Sequence, residues 1–176
     1  MDESIKIPKE RIAALIGKNG RIKQKIEKLT NTKVNVESET GNVLIEAKEK
    51  GLDFYNALSI IKAIGRGFAP EKAFLLSDEE NYLDIIDLAE IVGGSKKQLE
   101  VKKGRIIGRK GKARDSIEQS TNCFISVYGK TVSIIGNVEN VENARRAIEM
   151  LLGGAKHSSV LGFLKRKEIE SSKFEL

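Results

Sequence analysis

A chain of 176 residues is long enough for one large domain or for two small domains of about 80–90 residues, each near the lower size at which a domain maintains its own core. Its hydrophobic content of 40% includes no tryptophan, so the core must consist mainly of aliphatic side chains. The net charge of +6 and the isoelectric point near 9.3 favour an acidic partner such as nucleic acid. A single cysteine excludes an internal disulfide, and no apolar run reaches the length of about 18 residues needed to span a membrane, which together predict a cytoplasmic protein.

The first half of the chain predicts the element order β-α-α-β-β-α. Alternating polar and apolar residues indicate strands, and apolar residues three and four positions apart indicate helices. The predicted segments are a strand at 4–8, helices at 9–16 and 21–29, strands at 32–37 and 43–47, and a long helix from the N-cap Asp53 to Gly65 and Gly67. A short helix and an acidic stretch follow at 70–82.

The second half repeats this order. The predicted segments are a strand at 84–92, two helices around a glycine turn (the second at 113–120), strands at 123–128 and 131–135 joined by a tight hairpin, and a helix at 141–152. Residues 157–176 are predicted as a C-terminal extension that is helical at its start. The sequence therefore predicts two domains, at 1–77 with a short linker helix and at 78–176 with the helical extension.

A Gly-X-X-Gly loop lies between the two short helices of each half. Residues 17–20 (Gly-Lys-Asn-Gly) recur 91 positions later as residues 108–111 (Gly-Arg-Lys-Gly). The flanking sequence recurs at the same offset, since the Ile-Glu pair at 26–27 returns at 117–118. One such loop in a chain with 16 glycines could be a coincidence, but two loops in the same hydrophobic frame indicate a duplicated unit.

This arrangement is suited to binding phosphate. A helix, a glycine turn and a second helix bring backbone N–H groups and the positive end of the second helix to one place. Glycine allows a sugar-phosphate to approach the backbone because no Cβ is in the way. The middle residues of each loop add charge, and the apolar residues of the helices and of the next strand would form a groove for unstacked bases.

The element order and the Ile-Gly-X-X-Gly motif resemble the type I KH domain, over nearly the whole chain, as a tandem pair. The resemblance implies an α+β fold in which each unit has a three-stranded antiparallel sheet packed by three helices. It also implies that each GxxG loop holds about four nucleotides of single-stranded RNA or DNA against a shallow groove. The RNA-binding residues that follow from the resemblance and from the basic residues around the loops are Ile16, Gly17, Lys18, Asn19, Gly20, Arg21, Lys23, Ile26, Val34 and Val36 in the first unit, and Arg105, Ile107, Gly108, Arg109, Lys110, Gly111, Lys112, Arg114, Ile117, Ile125 and Val127 in the second.

One position departs from the KH pattern. Many KH domains have an aliphatic residue three positions after the second glycine of the loop, whereas this chain has Lys23 and Arg114. Either the groove is less apolar than usual, or a local rotation brings Ile22 and Ala113 into the place that this aliphatic residue would fill.

The stretch at 104–122 is more specific than a general KH signature. It is similar to the KH family that acts in assembly of the small ribosomal subunit, in its short archaeal form. That resemblance implies binding near the 3′ end of the small-subunit rRNA and assistance to the Nob endonuclease that makes this end. Whether the first unit binds RNA, a protein or both stays open. A second hypothesis is therefore an interaction scaffold that contacts an assembly or initiation factor, with RNA binding secondary.

Other kinds of site are disfavoured. The carboxylates at 78–87 suit a solubilising or docking linker better than a metal-dependent nuclease. His157 and Cys123 are the only residues of their types, so neither has a partner for a zinc site or a catalytic pair. Residues 104–111 fail the spacing of a nucleotide-binding P-loop, and the S1-like barrel usual in KH subunits of RNA-degrading complexes is not recognisable. The sequence predicts no enzyme activity, no metal and no cofactor.

Overall fold

The chain divides between Leu83 and Asp84 into two units, and the computed structural model describes residues 1–175. The sequence places the boundary slightly earlier, between residues 77 and 78. Each unit contains a three-stranded antiparallel sheet and follows the order β-α-α-β-β-α, with short additional helices, which confirms the predicted α+β class.

The first unit contains three strands and four α-helices, with 3-10 helices at Lys9–Arg11, Lys18–Gly20 and Phe74–Ser77. The strands and α-helices are β1 (Asp2–Lys6), α1 (Ile12–Ile16), α2 (Arg21–Thr30), β2 (Lys33–Glu37), β3 (Asn42–Glu46), α3 (Leu52–Gly65) and α4 (Pro70–Ala73). The strand order is β1-β3-β2, so β2 is an edge strand. Aliphatic side chains from the sheet and helices form the core, and those with no exposed surface include Leu15, Ile26, Val34, Ile45 and Ile61.

The second unit has the same order of strands and helices, with more residues in helices than the first. Its elements are β4 (Tyr82–Asp87), α5 (Leu88–Val92), α6 (Lys96–Ile107), α7 (Lys112–Thr121), β5 (Phe124–Tyr128), β6 (Thr131–Gly136), α8 (Val138–Leu152) and α9 (His157–Phe174). The strand order is β4-β6-β5, so β5 is the edge strand that corresponds to β2. Helix α9 contacts α7 and α8, and it buries Val160 and Leu164. The sequence predicts a helix only at the start of this extension, with a frayed end, whereas α9 continues to Phe174; Leu176 lies outside the described residues.

Three predicted boundaries were wrong, and side-chain caps explain two of them, the starts of α5 and α8. The strand predicted at 84–92 ends at Asp87, whose carboxylate accepts a hydrogen bond from the Ala89 N–H and starts α5. The long helix predicted to begin after Asp53 begins at Leu52, so Asp53 lies in its first turn. Helix α8 begins three residues earlier than predicted because the Asn137 side chain caps it.

No helix within residues 1–175 is both long enough and apolar enough to cross a membrane.

Candidate nucleic-acid interface

The two GxxG loops, loop 1 (residues 17–20) and loop 2 (residues 108–111), have almost the same backbone conformation. The first glycine has φ/ψ of 72°/173° in loop 1 and 71°/178° in loop 2. The third residue has 54°/30° and 54°/29°, and the second glycine has 73°/11° and 76°/7°. Two segments of different sequence therefore adopt one geometry, as expected for a duplicated site.

The first glycine of each loop is required by packing as well as by its positive φ. A Cβ on Gly17 would overlap Cγ1 of Ile22, and a Cβ on Gly108 would lie 2.6 Å from Cβ of Ala113. A Cβ on Gly111 would instead have its nearest neighbour at 3.7 Å. The second glycine is therefore required by its φ of 76° and leaves the surface above it open to a ligand.

Helices α2 and α7 begin directly after the loops and make each loop a site for anions. The first turn of a helix has N–H groups without intrahelical partners and carries the positive end of the helix dipole. Loop 1 and the start of α2 add the exposed cations Lys18 and Arg21, whereas loop 2 and the start of α7 add Arg109, Lys110 and Lys112. Loop 2 thus has the higher density of positive charge.

A glutamate joins the second helix to the edge strand in each unit. Oε1 of Glu27 accepts a 2.8 Å hydrogen bond from the N–H of Val34, and Oε1 of Glu118 accepts a 2.8 Å hydrogen bond from the N–H of Ile125. The sequence contains the repeated Ile-Glu pair but does not indicate this role. A glutamate repeated at the same offset, seven residues before an apolar strand residue in both units, was the available signal.

These hydrogen bonds also identify the strand edge that faces the helices. Alternate residues of a strand direct their main-chain groups to the same side. Val36 and Val127, two residues after the bonded positions, therefore direct their N–H and C=O groups toward that edge. Main-chain groups in this position can pair with the edge of an unstacked base.

The two units differ in the cation beside this edge. Nζ of Lys23 lies 3.2 Å from Oε1 of Glu27, the oxygen that also binds Val34, so its charge is neutralised within the unit. Nη2 of Arg114 pairs with Oδ1 of Asp115 at 3.2 Å, but its Nε is buried without a hydrogen-bond partner among residues 1–175. An unpaired buried donor is costly, so Arg114 can gain from a ligand that supplies an acceptor.

Of the two alternatives for the departure from the KH pattern, the structure supports a less apolar groove. Ile22 and Ala113 pack against the first glycines of the loops. Lys23 pairs with the glutamate that holds β2, and Arg114 lies one helical turn before Glu118 on the same face of α7.

The predicted apolar site residues fall into two groups. Those with at most 5% exposure lie in the cores and support the site from beneath: Ile26, Val34, Ile117 and Ile125. Those that are half-buried retain surface for a ligand: Ile16, Val36, Ile107 and Val127. The surface available to a base is therefore smaller than the sequence pattern suggests.

Arg105 is engaged elsewhere. Its Nε donates a 3.0 Å hydrogen bond to the carbonyl of Leu151, and its Nη2 donates a 2.6 Å hydrogen bond to the carbonyl of Ala155. The guanidinium therefore binds carbonyls at and beyond the end of α8. Arg11 makes the equivalent pair of hydrogen bonds in the first unit, to carbonyls at the end of α3 and in the following loop.

The acidic segment and the cysteine have structural roles. Asp84 accepts hydrogen bonds of 2.9 and 2.8 Å from Nη1 of Arg145, and this interaction raises the pKa of the Arg145 guanidinium. Burial raises the pKa of the Cys123 thiol to about 11. Within residues 1–175, no three His, Cys, Asp or Glu side chains form a group that could hold a metal ion.

Two family models match the chain. The model for the second KH domain of PNO1, a eukaryotic-type KH domain of type I, matches residues 82–169. A general KH-domain model matches residues 2–53. These ranges contain loop 2 and loop 1, respectively.

Known proteins are similar over most of the chain. KH domain-containing protein MJ0443 of Methanocaldococcus jannaschii is 42% identical over 99% of this chain, which spans 78% of that relative. The pre-rRNA-processing protein PNO1 of Chaetomium thermophilum is 31% identical over 82% of this chain, which spans about half (51%) of that relative. A chain in the crystal structure of an a/eIF2α–aDim2p–rRNA complex from Pyrococcus horikoshii OT3 is 48% identical with a TM-score of 0.89, covering 97% of this chain and 95% of that chain.

These similarities agree with the duplicated loop geometry and with the order of strands and helices in both units. The chain therefore belongs to the type I KH-domain family, as a tandem KH protein of the archaeal Dim2 and eukaryotic PNO1 kind.

Proposed function

We propose that this protein binds single-stranded RNA near the 3′ end of the small-subunit rRNA and assists the processing of that end without a catalytic step of its own. The observation that carries the proposal is the shared backbone conformation of the two GxxG loops, each with exposed cations in the loop and at the start of the following helix. A relative named as a pre-rRNA-processing protein and a similar chain in an rRNA complex support the choice of RNA.

In the proposed mechanism, one set of groups binds the phosphates and another recognises the bases. Backbone N–H groups of the loops and the start of α2 and α7 hold phosphates, and the nearby cations strengthen this contact at low salt. The main-chain edges at Val36 and Val127 then read the bases that the phosphate contacts place beside them. If both units bind one strand, the footprint is about eight nucleotides, since a KH unit holds about four.

The second unit contributes more of the affinity in this proposal. Loop 2 and the start of α7 present three exposed cations, Arg109, Lys110 and Lys112. In the first unit, Lys23 is already paired with Glu27. We therefore expect Gly111→Asp to weaken RNA binding more than Gly20→Asp.

Fluorescence anisotropy tests this proposal with a short RNA that matches the small-subunit rRNA 3′ end, a scrambled RNA, and a salt titration of each. We expect tighter binding of the matching RNA and a salt slope of about 0.7 per phosphate contact. Gly111→Asp should weaken binding at least tenfold. Gly111→Asn adds a side chain of similar size without the charge, so it separates the effect of the charge from that of the side chain. Gly94→Asp is the control for the charge, because it places an aspartate on another positive-φ glycine whose Cβ would have no neighbouring atom within 4 Å.

Equal affinity of the wild type and Gly111→Asp would remove loop 2 from the RNA site. Equal affinity for the matching and scrambled RNA would remove the 3′-end specificity while leaving general RNA binding.

A scaffold role for the first unit is the second candidate. The neutralised Lys23 favours it, and the similar P. horikoshii chain is in a complex that contains a/eIF2α as well as rRNA. An initiation-factor subunit of that kind or the Nob endonuclease is the proposed partner. Gly20→Asp should then retain RNA affinity and lose binding of the purified partner, whereas loss of RNA affinity alone would assign loop 1 to RNA.

A further inference from the structure

We propose that the cavity between α6, α7 and the start of α9 is a docking site for an acidic, amphipathic segment of a partner protein. We call this cavity the α9 pocket, and its walls include Val101, Ala113, Leu151, Val160 and Leu161. Its volume of about 600 Å³ lies within the range of roughly 300–1,000 Å³ that is usual for ligand sites. The pocket lies on the side of α7 away from Arg114 and Glu118, which face the groove along β5, but it reaches loop 2 at Gly108 and Arg109.

The walls of the pocket expose aliphatic surface that nothing in the second unit covers. Val101 on α6 is 50% exposed and Leu161 on α9 is 44% exposed, while Val160 and Leu151 form a buried floor between them. Burial of such surface against a partner is favourable in proportion to the apolar area removed from water. Aliphatic residues on two facing helices are suited to receiving the apolar face of a third helix.

The polar side chains inside the pocket, those of Arg105, Ser116 and His157, are already bonded within the protein. Arg105 donates to the carbonyls of Leu151 and Ala155, and its own carbonyl lies 3.0 Å from Nε2 of His157. The hydroxyl of Ser116 donates to the carbonyl of Lys112. Reading a nucleobase needs hydrogen-bonding groups or aromatic rings to stack on. The lining residues include no Phe, Tyr or Trp, and the imidazole of His157 is already placed against the carbonyl of Arg105. The interior therefore favours aliphatic side chains over a base.

The rim of the pocket is positively charged and therefore favours an acidic partner. Arg109 and Lys112 lie at the rim, both are exposed, and neither forms an ion pair with another residue in the described part of the chain. Lys165 follows Leu161 by one turn of α9 and is also exposed. An aliphatic interior with a cationic rim is complementary to a helix that has Leu or Ile on one face and Glu or Asp beside it.

Synthetic peptides test the proposal. The probe is a labelled 18-residue helix with Leu on one face and Glu on the other, and the controls are a scrambled peptide of the same composition and the same helix with Lys in place of Glu. We expect the acidic helix to bind the whole protein at least tenfold more tightly than either control, with weaker binding at higher salt.

Three matched variants locate the binding. Val101→Glu and Leu161→Glu place a carboxylate on the pocket walls, and each should weaken peptide binding at least tenfold. Val138→Glu makes the same change on α8 at a residue that is 60% exposed and outside the pocket, and it should leave binding unchanged. All three positions are at the surface, so circular dichroism should show three folded proteins.

Two direct results would overturn the proposal: equal affinity for the acidic and scrambled peptides, or unchanged peptide affinity in both pocket variants. If the pocket variants instead lose RNA affinity tenfold without affecting the peptide, the cavity is an RNA subsite. If they abolish a concentration-dependent dimer, the occupant is a second copy of the chain. The peptide titrations contain no RNA, so their outcome is independent of the proposed RNA-binding function.

Discussion

Lys110 occupies the left-handed region of backbone conformation, with φ 54° and ψ 29°. The other non-glycine residues with positive φ in residues 1–175 are all asparagines: Asn19, Asn31 and Asn122. Asparagine tolerates this region, whereas a lysine has to accept steric strain of about 1 kcal/mol. Such strain in the proposed RNA-binding loop supports a functional role for the Lys110 side chain.

Replacing Lys110 with Asn should therefore separate stability from binding. Asn19 has the same conformation in loop 1, so we expect Lys110→Asn to stabilise the second unit by about 0.5–1 kcal/mol. For a domain of this size, 1 kcal/mol shifts Tm by about 4–8 °C, which gives an increase of about 2–8 °C. The same variant loses one phosphate contact, so the salt slope should fall by about 0.7 and RNA affinity at 0.1 M salt by about fivefold.

Scanning calorimetry and RNA anisotropy measure the two effects on the same samples. The reciprocal variant Asn19→Lys should lower the stability of the first unit by a similar amount. A lower Tm for Lys110→Asn would show that the lysine is not strained, and an unchanged salt slope would show that its charge does not contact phosphate. Either result would refute the link between strain and binding.

Three further changes have definite expected outcomes. Glu118→Ala leaves the Ile125 N–H without its acceptor, so it should destabilise the second unit by about 1–3 kcal/mol and speed hydrogen exchange of that amide. Glu118→Gln keeps an acceptor oxygen and should retain most of the stability. Arg114→Ala should weaken RNA binding about tenfold, or about 1.4 kcal/mol, while Lys23→Ala should change it little because Lys23 is paired with Glu27. The pKa of the Cys123 thiol is raised from 9.0 to about 11 in the folded protein. Between these pH values the folded protein keeps the thiol proton, whereas the unfolded chain loses it. Stability should therefore fall between about pH 9 and pH 11, by an amount on the order of 2 kcal/mol, and urea unfolding of Cys123→Ala should lack this part of the pH dependence.

The sequence predicts the fold well because each unit combines strong local signals. The alternating strands, the glycine loops and the aliphatic spacing of the long helices all indicate the same β-α-α-β-β-α order, which the structure confirms. The errors lie at boundaries where a side chain decides the end of an element. Asp87 and Asn137 start helices by accepting backbone hydrogen bonds, a role that many Asp and Asn residues in loops do not have.

Side-chain partners across the fold could not be predicted from spacing. Arg105 belongs to the basic run around loop 2, yet its guanidinium binds carbonyls 46 and 50 residues later in the chain. Lys23 and Arg114 are at equivalent positions of the two units, but Lys23 is neutralised by Glu27 and Arg114 retains a buried donor. A count of cations in the sequence therefore overstates the charge that is available to RNA in both units.

The proposed phosphate site and the α9 pocket share Gly108 and two cations, Arg109 in loop 2 and Lys112 at the start of α7, which form part of the rim of the pocket. RNA phosphates and the carboxylates of an acidic partner would both be attracted to these cations, so binding of one should weaken binding of the other. Thermodynamic linkage requires the two effects to be equal: if bound RNA weakens the acidic peptide fivefold, the peptide must weaken RNA fivefold. Lys112→Gln should reduce this coupling because it removes a shared charge. Lys165→Gln should leave the coupling intact because Lys165 belongs neither to loop 2 nor to the start of α7, where the phosphates are proposed to bind. An acidic partner at this position would therefore promote release of RNA from loop 2, and RNA would in turn delay docking of that partner.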